Sequence, residues 1–117
     1  PIYHTDVLMY VGTDIIGICL DVIKPEHRDF VKQKASAYHE VIELSADQIQ
    51  CFCGNAIEAK NDKNELFLII SSKAYFALNQ DQIDKLLGSY QEIIHSDIPT
   101  IEKNGGGSAR CMLTELF

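Results

Sequence analysis

The second half of the chain repeats the order of the first, and a chain built this way has few folds open to it. Asp14-Ile15-Ile16-Gly17-Ile18 lines up with Glu65-Leu66-Phe67-Leu68-Ile69 at an offset of 51. Tyr38-His39-Glu40-Val41-Ile42 lines up with Tyr90-Gln91-Glu92-Ile93-Ile94 at an offset of 52. In the first copy, residues 6–11 and 14–21 are rich in Val, Ile and Leu and predict two strands joined by a bend at Gly12-Thr13. Lys24-Pro25-Glu26 opens a helix, because proline suits a first helical position, and Phe30, Val31, Ala35 and Tyr38 share a face of it. A strand over 40–44 follows. In the second copy Asn79 and Gln82 make a capping-box start, and Ile83, Leu86, Leu87 and Tyr90 form the buried stripe of a second helix. Each unit therefore reads strand, strand, helix, strand. A repeat of this size predicts units stacked in a row or set around an axis.

The repeat carries a geometric expectation. Shifting His4 by 51 lands on Asn55, so the two polar positions are expected to open equivalent strands. After the second unit the chain runs through Asp97 to Glu102 and a glycine loop to Cys111, which opens the first strand of a third unit. With the units set around an axis, His4, Asn55 and Cys111 meet at one central site.

Those three residues come with neighbours that suit chemistry. Gly105, Gly106 and Gly107 can take backbone angles closed to other residues and let the chain pass close to a ligand. Arg110 beside Cys111 favours thiolate over thiol, and the thiolate is the form that attacks electrophiles. Taken alone, this loop reads more readily as a glycine turn before a strand with Cys111 in the core. At the other end His4 and Asp6 are two residues apart on an extended segment, so they point to the same side and line one pocket. A cysteine nucleophile needs a histidine near it in space, not in sequence.

Composition narrows the classes. At 117 residues and 46% apolar content the chain has enough apolar residues to bury a core as one domain. Its net charge of -7 argues against nucleic acid as a partner, since nucleic-acid binders carry basic faces. The longest apolar runs, 15–20 and 66–70, fall far short of the ~20 residues needed to cross a bilayer, so no membrane is expected. With no signal-peptide pattern, the four cysteines read as free thiols in a reducing compartment, the cytoplasm by default.

Read together, Tyr3-His4-Thr5-Asp6 and Gly105-Gly106-Gly107-Ser108-Ala109-Arg110-Cys111-Met112 resemble two motifs of the guanidine-modifying enzymes of the pentein superfamily. The first is similar to their His-x-Asp segment and the second to the glycine-rich loop that carries their C-terminal nucleophile. Within the superfamily the resemblance is to the amidinotransferase and citrulline-utilisation hydrolase branch, related to arginine deiminase. It extends to Thr100-Ile101-Glu102 and Glu115-Leu116-Phe117 and covers essentially the whole chain.

The resemblance implies an α+β fold, a pentein-type α/β propeller of ββαβ units, here an incomplete set of about two units and one strand. Residues 1–117 would form the C-terminal portion of a single pentein domain, with repeats at about 1–45 and 46–97 and a last strand at about 109–117. The family has five such units, so roughly the N-terminal half of a full-length member is absent and the chain is expected to be a piece of a longer protein.

As function, the resemblance implies a hydrolase or amidinotransferase acting on the guanidine or ureido carbon of an arginine-like or citrulline-like small molecule, with no cofactor and no metal. Cys111 would form the covalent intermediate and His4 would move the protons. Asp6, Asn55 and Arg110 would hold the substrate, a carboxylate such as Asp6 matching the planar fork of a guanidinium. The rival reading is a non-catalytic pentein binding or assembly subunit, or an inactive fragment. On that reading the partner is a second copy of the chain or the missing N-terminal half.

The remaining reactive side chains carry less. Cys51 and Cys53 with His39 offer only weak support for zinc, Cys-x-Cys without a second pair. Cys19 lies in an apolar strand and is expected in the core. His27 and His95 have no partner that the sequence identifies and are expected on the solvated surface.

Overall fold

A computed structural model of the chain describes residues 8–97. The chain forms two three-stranded sheets in succession, each of mixed direction. In the first, β1 (Met9–Val11) pairs antiparallel with β2 (Ile15–Ile18), and β2 pairs parallel with β3 (Glu40–Glu43). In the second, β4 (Ile57–Lys60) pairs antiparallel with β5 (Leu66–Ser71), and β5 pairs parallel with β6 (Glu92–Ser96). The parallel step in each unit is bridged by helix, as a parallel pair requires: α1 (Pro25–Ser36) in the first, and in the second α3 (Ser72–Ala77) and α4 (Gln80–Ser89). Between the units runs α2 (Ala46–Gln50). The expected order of strand, strand, helix, strand is present twice.

The register makes the repeat quantitative. Glu40 lies opposite Ile15 and Glu92 opposite Phe67, so second and third strands of the two units correspond at an offset of 52 (15 to 67, 40 to 92). The first strands correspond differently. Val11 lies opposite Ile16 and Glu58 opposite Leu68, an offset of 47 (11 to 58). The second hairpin loop is five residues longer, and His4, the expected match of Asn55, lies outside the described residues. The loop is held by Asn61, whose Oδ1 accepts from Lys63 N at 3.0 Å and Glu65 N at 2.9 Å, with Asn64 at φ 64 in the left-handed region that asparagine tolerates.

Local chemistry sets the helix starts. Pro25 stands at the first turn of α1, as expected. The Asn79 side chain accepts from Gln82 N at 2.9 Å and Gln82 Oε1 accepts from Asn79 N at 3.0 Å, the capping box read from the sequence. A second capping box, Ser45 with Gln48, starts α2.

Three expectations are corrected. The strand expected over 14–21 ends at Ile18, and Leu20–Val22 turns as a short 3-10 helix. Of the four residues expected on one face of the first helix, Phe30 and Tyr38 are exposed, Tyr38 lying beyond the helix end at Ser36, while Val31 and Ala35 are half-buried and α1 buries no residue fully. Leu87 is exposed as well, and the buried positions along α4 are Gln82, Leu86 and, at its end, Tyr90. Periodicity assigns a stripe to one side of a helix, but which side is covered depends on the neighbouring unit.

The core lies between the units. Tyr10, Ile15, Ile42 and Leu44 of the first pack with Ile49, Cys53, Leu68, Ile70, Leu86 and Tyr90 of the connecting segment and the second. Gly17 belongs to this packing, because a Cβ there would collide with the Tyr10 ring. Cys19 is fully buried, as expected.

Candidate functional site

Four of the five site residues named from the sequence, His4, Asp6, Arg110 and Cys111, lie outside the described residues. Asn55 is the fifth. It is wholly buried two residues ahead of β4, its backbone N–H donating to the Phe52 carbonyl at 3.0 Å across a turn in which Phe52 has φ 66.

The most organised polar cluster among the described residues joins the two units at the bend after β1. Glu58 on β4 accepts from Thr13 N at 2.9 Å and from Thr13 Oγ1 at 2.6 Å. The Tyr90 hydroxyl donates to the same carboxylate at 2.8 Å. Burial pushes the Glu58 carboxyl up, but the hydrogen bonds from Thr13 and Tyr90, with the charge of Lys60, outweigh it and hold the group below the usual carboxylate range. Burial, then the contact with Glu58, drives the Tyr90 hydroxyl well above its ordinary value, so it stays a donor. Gly12 makes room for this cluster, since a Cβ there would strike the Tyr90 hydroxyl and the Glu58 carboxylate. The sequence marked Gly12-Thr13 as a bend and Tyr90 as buried, but nothing in it linked either to Glu58. Glu58 and Tyr90 both belong to the second unit and Thr13 to the first, so it is through Thr13 that the carboxylate fastens one unit to the next.

Nearby, Tyr10 is buried against Gly17, and burial, then the Cys53 thiol, raises its pKa far above the usual range. Cys53 donates through Sγ to the Ala74 carbonyl at 3.3 Å. Cys19, Cys51 and Cys53 are free thiols, and among the described residues no three His, Cys, Asp or Glu side chains come together in a way that could hold a metal ion.

A second cluster lies on α3 and β6. Ser72 Oγ and His95 Nδ1 share a hydrogen bond of 2.8 Å, and the His95 ring stacks on Tyr75 at 4.2 Å with Phe76 edge-on at 5.6 Å. His95 is exposed, as expected, but it has partners that the sequence did not identify. Ser72 is half-buried and His95 exposed, so the arrangement fixes the ring at the surface of β6.

The clefts are polar. One of about 450 Å³ is lined by Leu20, Asp21, Arg28, Lys32, Glu43 and Ser45. Its cations are already engaged: Arg28 donates to the Ile23 and Asp21 carbonyls at 2.8 and 2.9 Å, and Lys32 pairs with Glu43 at 2.7 Å. No helix of the described residues is long and apolar enough to cross a membrane.

Comparison with curated proteins gives no match. Among solved structures, the chain is similar to the apo form of ArgZ, an arginine dihydrolase from the ornithine-ammonia cycle in cyanobacteria, with a TM-score of 0.70 at 14% identity. The match covers 94% of this chain and 15% of that one, so the two ββαβ units are a fraction of a larger fold of that kind. A family model described as N,N dimethylarginine dimethylhydrolase, eukaryotic, matches residues 1–117. It therefore takes in the His-x-Asp segment, both described units and the glycine-rich loop. The chain belongs to this dimethylarginine dimethylhydrolase family of the pentein superfamily.

Proposed function

We propose that the chain carries the catalytic pair of a cysteine-dependent hydrolase acting on the guanidine carbon of arginine-like small molecules, methylated arginines foremost. The single observation that supports this is the family match, which runs unbroken through both end motifs. In this reading the Cys111 thiolate attacks the guanidine carbon and forms a C–S bond. The C–N bond to the departing amine breaks, and His4 gives that amine its proton. Water then attacks the same carbon with His4 taking its proton; the C–S bond breaks, a ureido group leaves and the thiolate is restored. Asp6 receives the guanidinium nitrogens in a two-point hydrogen bond, and Arg110 meets a carboxylate of the substrate or holds Cys111 ionised. Asn55 is the weaker substrate contact, placed inside the fold ahead of β4.

The chain spans 15% of the dihydrolase it resembles, so the proposal assigns the catalytic residues to this chain and leaves further substrate-holding groups to the rest of a full-length member.

The test is mass spectrometry after incubation with chloroacetamidine, a guanidine-shaped electrophile, on the chain and on its Cys111→Ser form. One selective adduct, lost in the variant, is the expected result. Slow labelling spread over several cysteines, in this chain and again in a full-length relative carrying the same motifs, would overturn the assignment.

A further inference from the structure

Two described residues other than glycine have a left-handed backbone, Asn64 at φ 64 and Phe52 at φ 66. Asparagine tolerates that region, but the Cβ of a phenylalanine crowds the following carbonyl oxygen there, so Phe52 holds its conformation at a cost. The cost arises where α2 ends. Phe52 N–H donates to the Ile49 carbonyl at 2.9 Å and Cys53 N–H to the Gln48 carbonyl at 3.0 Å. These are the two bonds of a helix ending whose left-handed position is usually glycine.

Strain of this kind persists only where the surroundings over-determine it, and it gathers where a side chain has to be aimed. The surroundings here are α3, which grips the turn through two consecutive residues. Lys73 Nζ lies 5.8 Å from the centre of the half-buried Phe52 ring, and the Ala74 carbonyl accepts from Cys53 Sγ at 3.3 Å. Beyond the turn, Cys53, Gly54, Asn55 and Ala56 run buried, without helix or strand, towards β4. Irregular chain keeps to the surface as a rule, because its backbone polar groups need partners. Inside this fold the Phe52 carbonyl is one such partner, accepting from Asn55 N–H at 3.0 Å. Asn55 is thus tied to Phe52 by one hydrogen-bonded turn and takes its direction from it.

We propose that Phe52 is a positioning residue: its left-handed backbone, clamped by α3, turns the chain inward so that Asn55 presents its amide to the substrate of Cys111. The inference rests on the proposed contact of Asn55 with substrate and explains how a residue so deeply placed is aimed. The Phe52 ring serves to fix the turn, and the turn does the aiming.

The test replaces Phe52 by Gly, Asn, Ala and Val in turn and follows the Asn55 side-chain amide by nitrogen-proton correlation NMR. The ratio of Cys111 labelling rates with chloroacetamidine and iodoacetamide is read alongside, on the chain or, where the chain alone is not selectively labelled, on a full-length relative carrying the same residues. Tolerance of the left-handed region should set the order. Phe52→Gly and Phe52→Asn keep the amide signal and the ratio, Phe52→Ala lowers the ratio, and Phe52→Val loses both. A ring that merely fills space gives the reverse order, with Phe52→Gly worst and Phe52→Val best, and that order would overturn the proposal. Because Phe52 acts through Asn55, a Phe52→Val, Asn55→Ala double variant should fall no further than Asn55→Ala alone, and a further fall counts against it. Circular dichroism checks each fold, and Phe52→Ala stands in for Phe52→Val if the latter does not fold. Unselective Cys111 in both chain and relative removes the Asn55 contact and this inference together. A selective Cys111 with an Asn55 amide indifferent to Phe52→Val removes this inference alone.

Discussion

Gln48 and Gln82 hydrogen-bond to each other in both directions: Gln48 Nε2 donates to Gln82 Oε1 at 2.7 Å, and Gln82 Nε2 donates to Gln48 Oε1 at 3.1 Å. Each glutamine is also the third residue of its helix, and each Oε1 accepts from the backbone N–H of its own N-cap, Ser45 or Asn79, at 3.0 Å. Of the remaining donor contacts, Gln48 Nε2 to the Ala77 carbonyl ties the connecting helix to the second unit, and Gln82 Nε2 to the Glu43 carbonyl ties the second unit to the first. Two helix starts and two units are therefore fixed by one pair of amides.

Replacing Gln82 by Leu keeps the volume but strips partners from Gln48, from the Asn79 N–H and from the Glu43 carbonyl. Leaving buried polar groups unsatisfied costs about 1–3 kcal/mol. Urea denaturation should show a loss of that size. Because Gln48 serves the same network, the loss in a Gln48→Leu, Gln82→Leu double variant should be less than the sum of the single losses. Additive losses would mean that the pair does not act as a unit.

Glu58 predicts an acid dependence. Its folded pKa lies below its unfolded value, so the stability it contributes is present above the ordinary carboxylate pKa and is lost as the pH falls through the folded one. The chain should lose stability on acidification through and below the usual carboxylate range, and Glu58→Gln should lose less over that span while being less stable at neutral pH. The group is largely solvated, so the neutral-pH loss is modest, about 1 kcal/mol. Thermal melts of both forms at a series of pH values decide it. Parallel pH profiles would show that the carboxylate charge is not what holds Thr13.

Gly17→Ala forces a methyl into the Tyr10 ring, and overpacking of this kind costs about 1–3 kcal/mol. A Tyr10→Leu change made together with it opens the space and should recover part of the loss. Denaturation midpoints of the single and double variants read this directly, and a Gly17→Ala chain as stable as the parent would mean that the ring moves aside freely.

Asn55 is wholly buried, so Asn55→Ala should cost about 1–3 kcal/mol in stability whether or not it touches substrate. Its proposed contact is read separately, by the rate of Cys111 labelling with chloroacetamidine under conditions where the variant stays folded. A fall in that rate relative to iodoacetamide, which has no guanidine shape, supports the contact, and an unchanged ratio removes Asn55 from the site.

Among the described thiols, Cys51 is partly exposed while Cys19 and Cys53 are buried. Native-state alkylation should therefore reach Cys51 well before the other two, which should react at the rate of unfolding. Peptide mapping over time checks the order, and it supplies the background against which Cys111 is judged.

The order and kind of the elements are legible along the chain. The apolar runs at 15–18 and 66–70, Pro25 at a helix start, and the Asn79 and Gln82 capping box each act within a few residues of themselves, and local chemistry of this sort needs no knowledge of the fold. The duplicated pattern led to the ββαβ architecture, because both units had to satisfy the same pairing. The end motifs, His-x-Asp and the glycine-rich loop before Cys111, were enough to indicate the pentein superfamily, within which the whole-chain match then showed the dimethylarginine dimethylhydrolase family.

How the units meet emerges only once the chain has folded. A hairpin five residues longer in the second unit gives the first strands an offset of 47 where the second and third have 52, a difference carried by a loop whose length has no periodic signature. Tyr90, two residues before β6, is buried and Tyr38, two residues before β3, is bare, because burial depends on what packs alongside and not on spacing. Glu58, Thr13 and Tyr90 are far apart in sequence, and their union was invisible there, since a hydrogen bond between distant segments leaves no mark on either one alone.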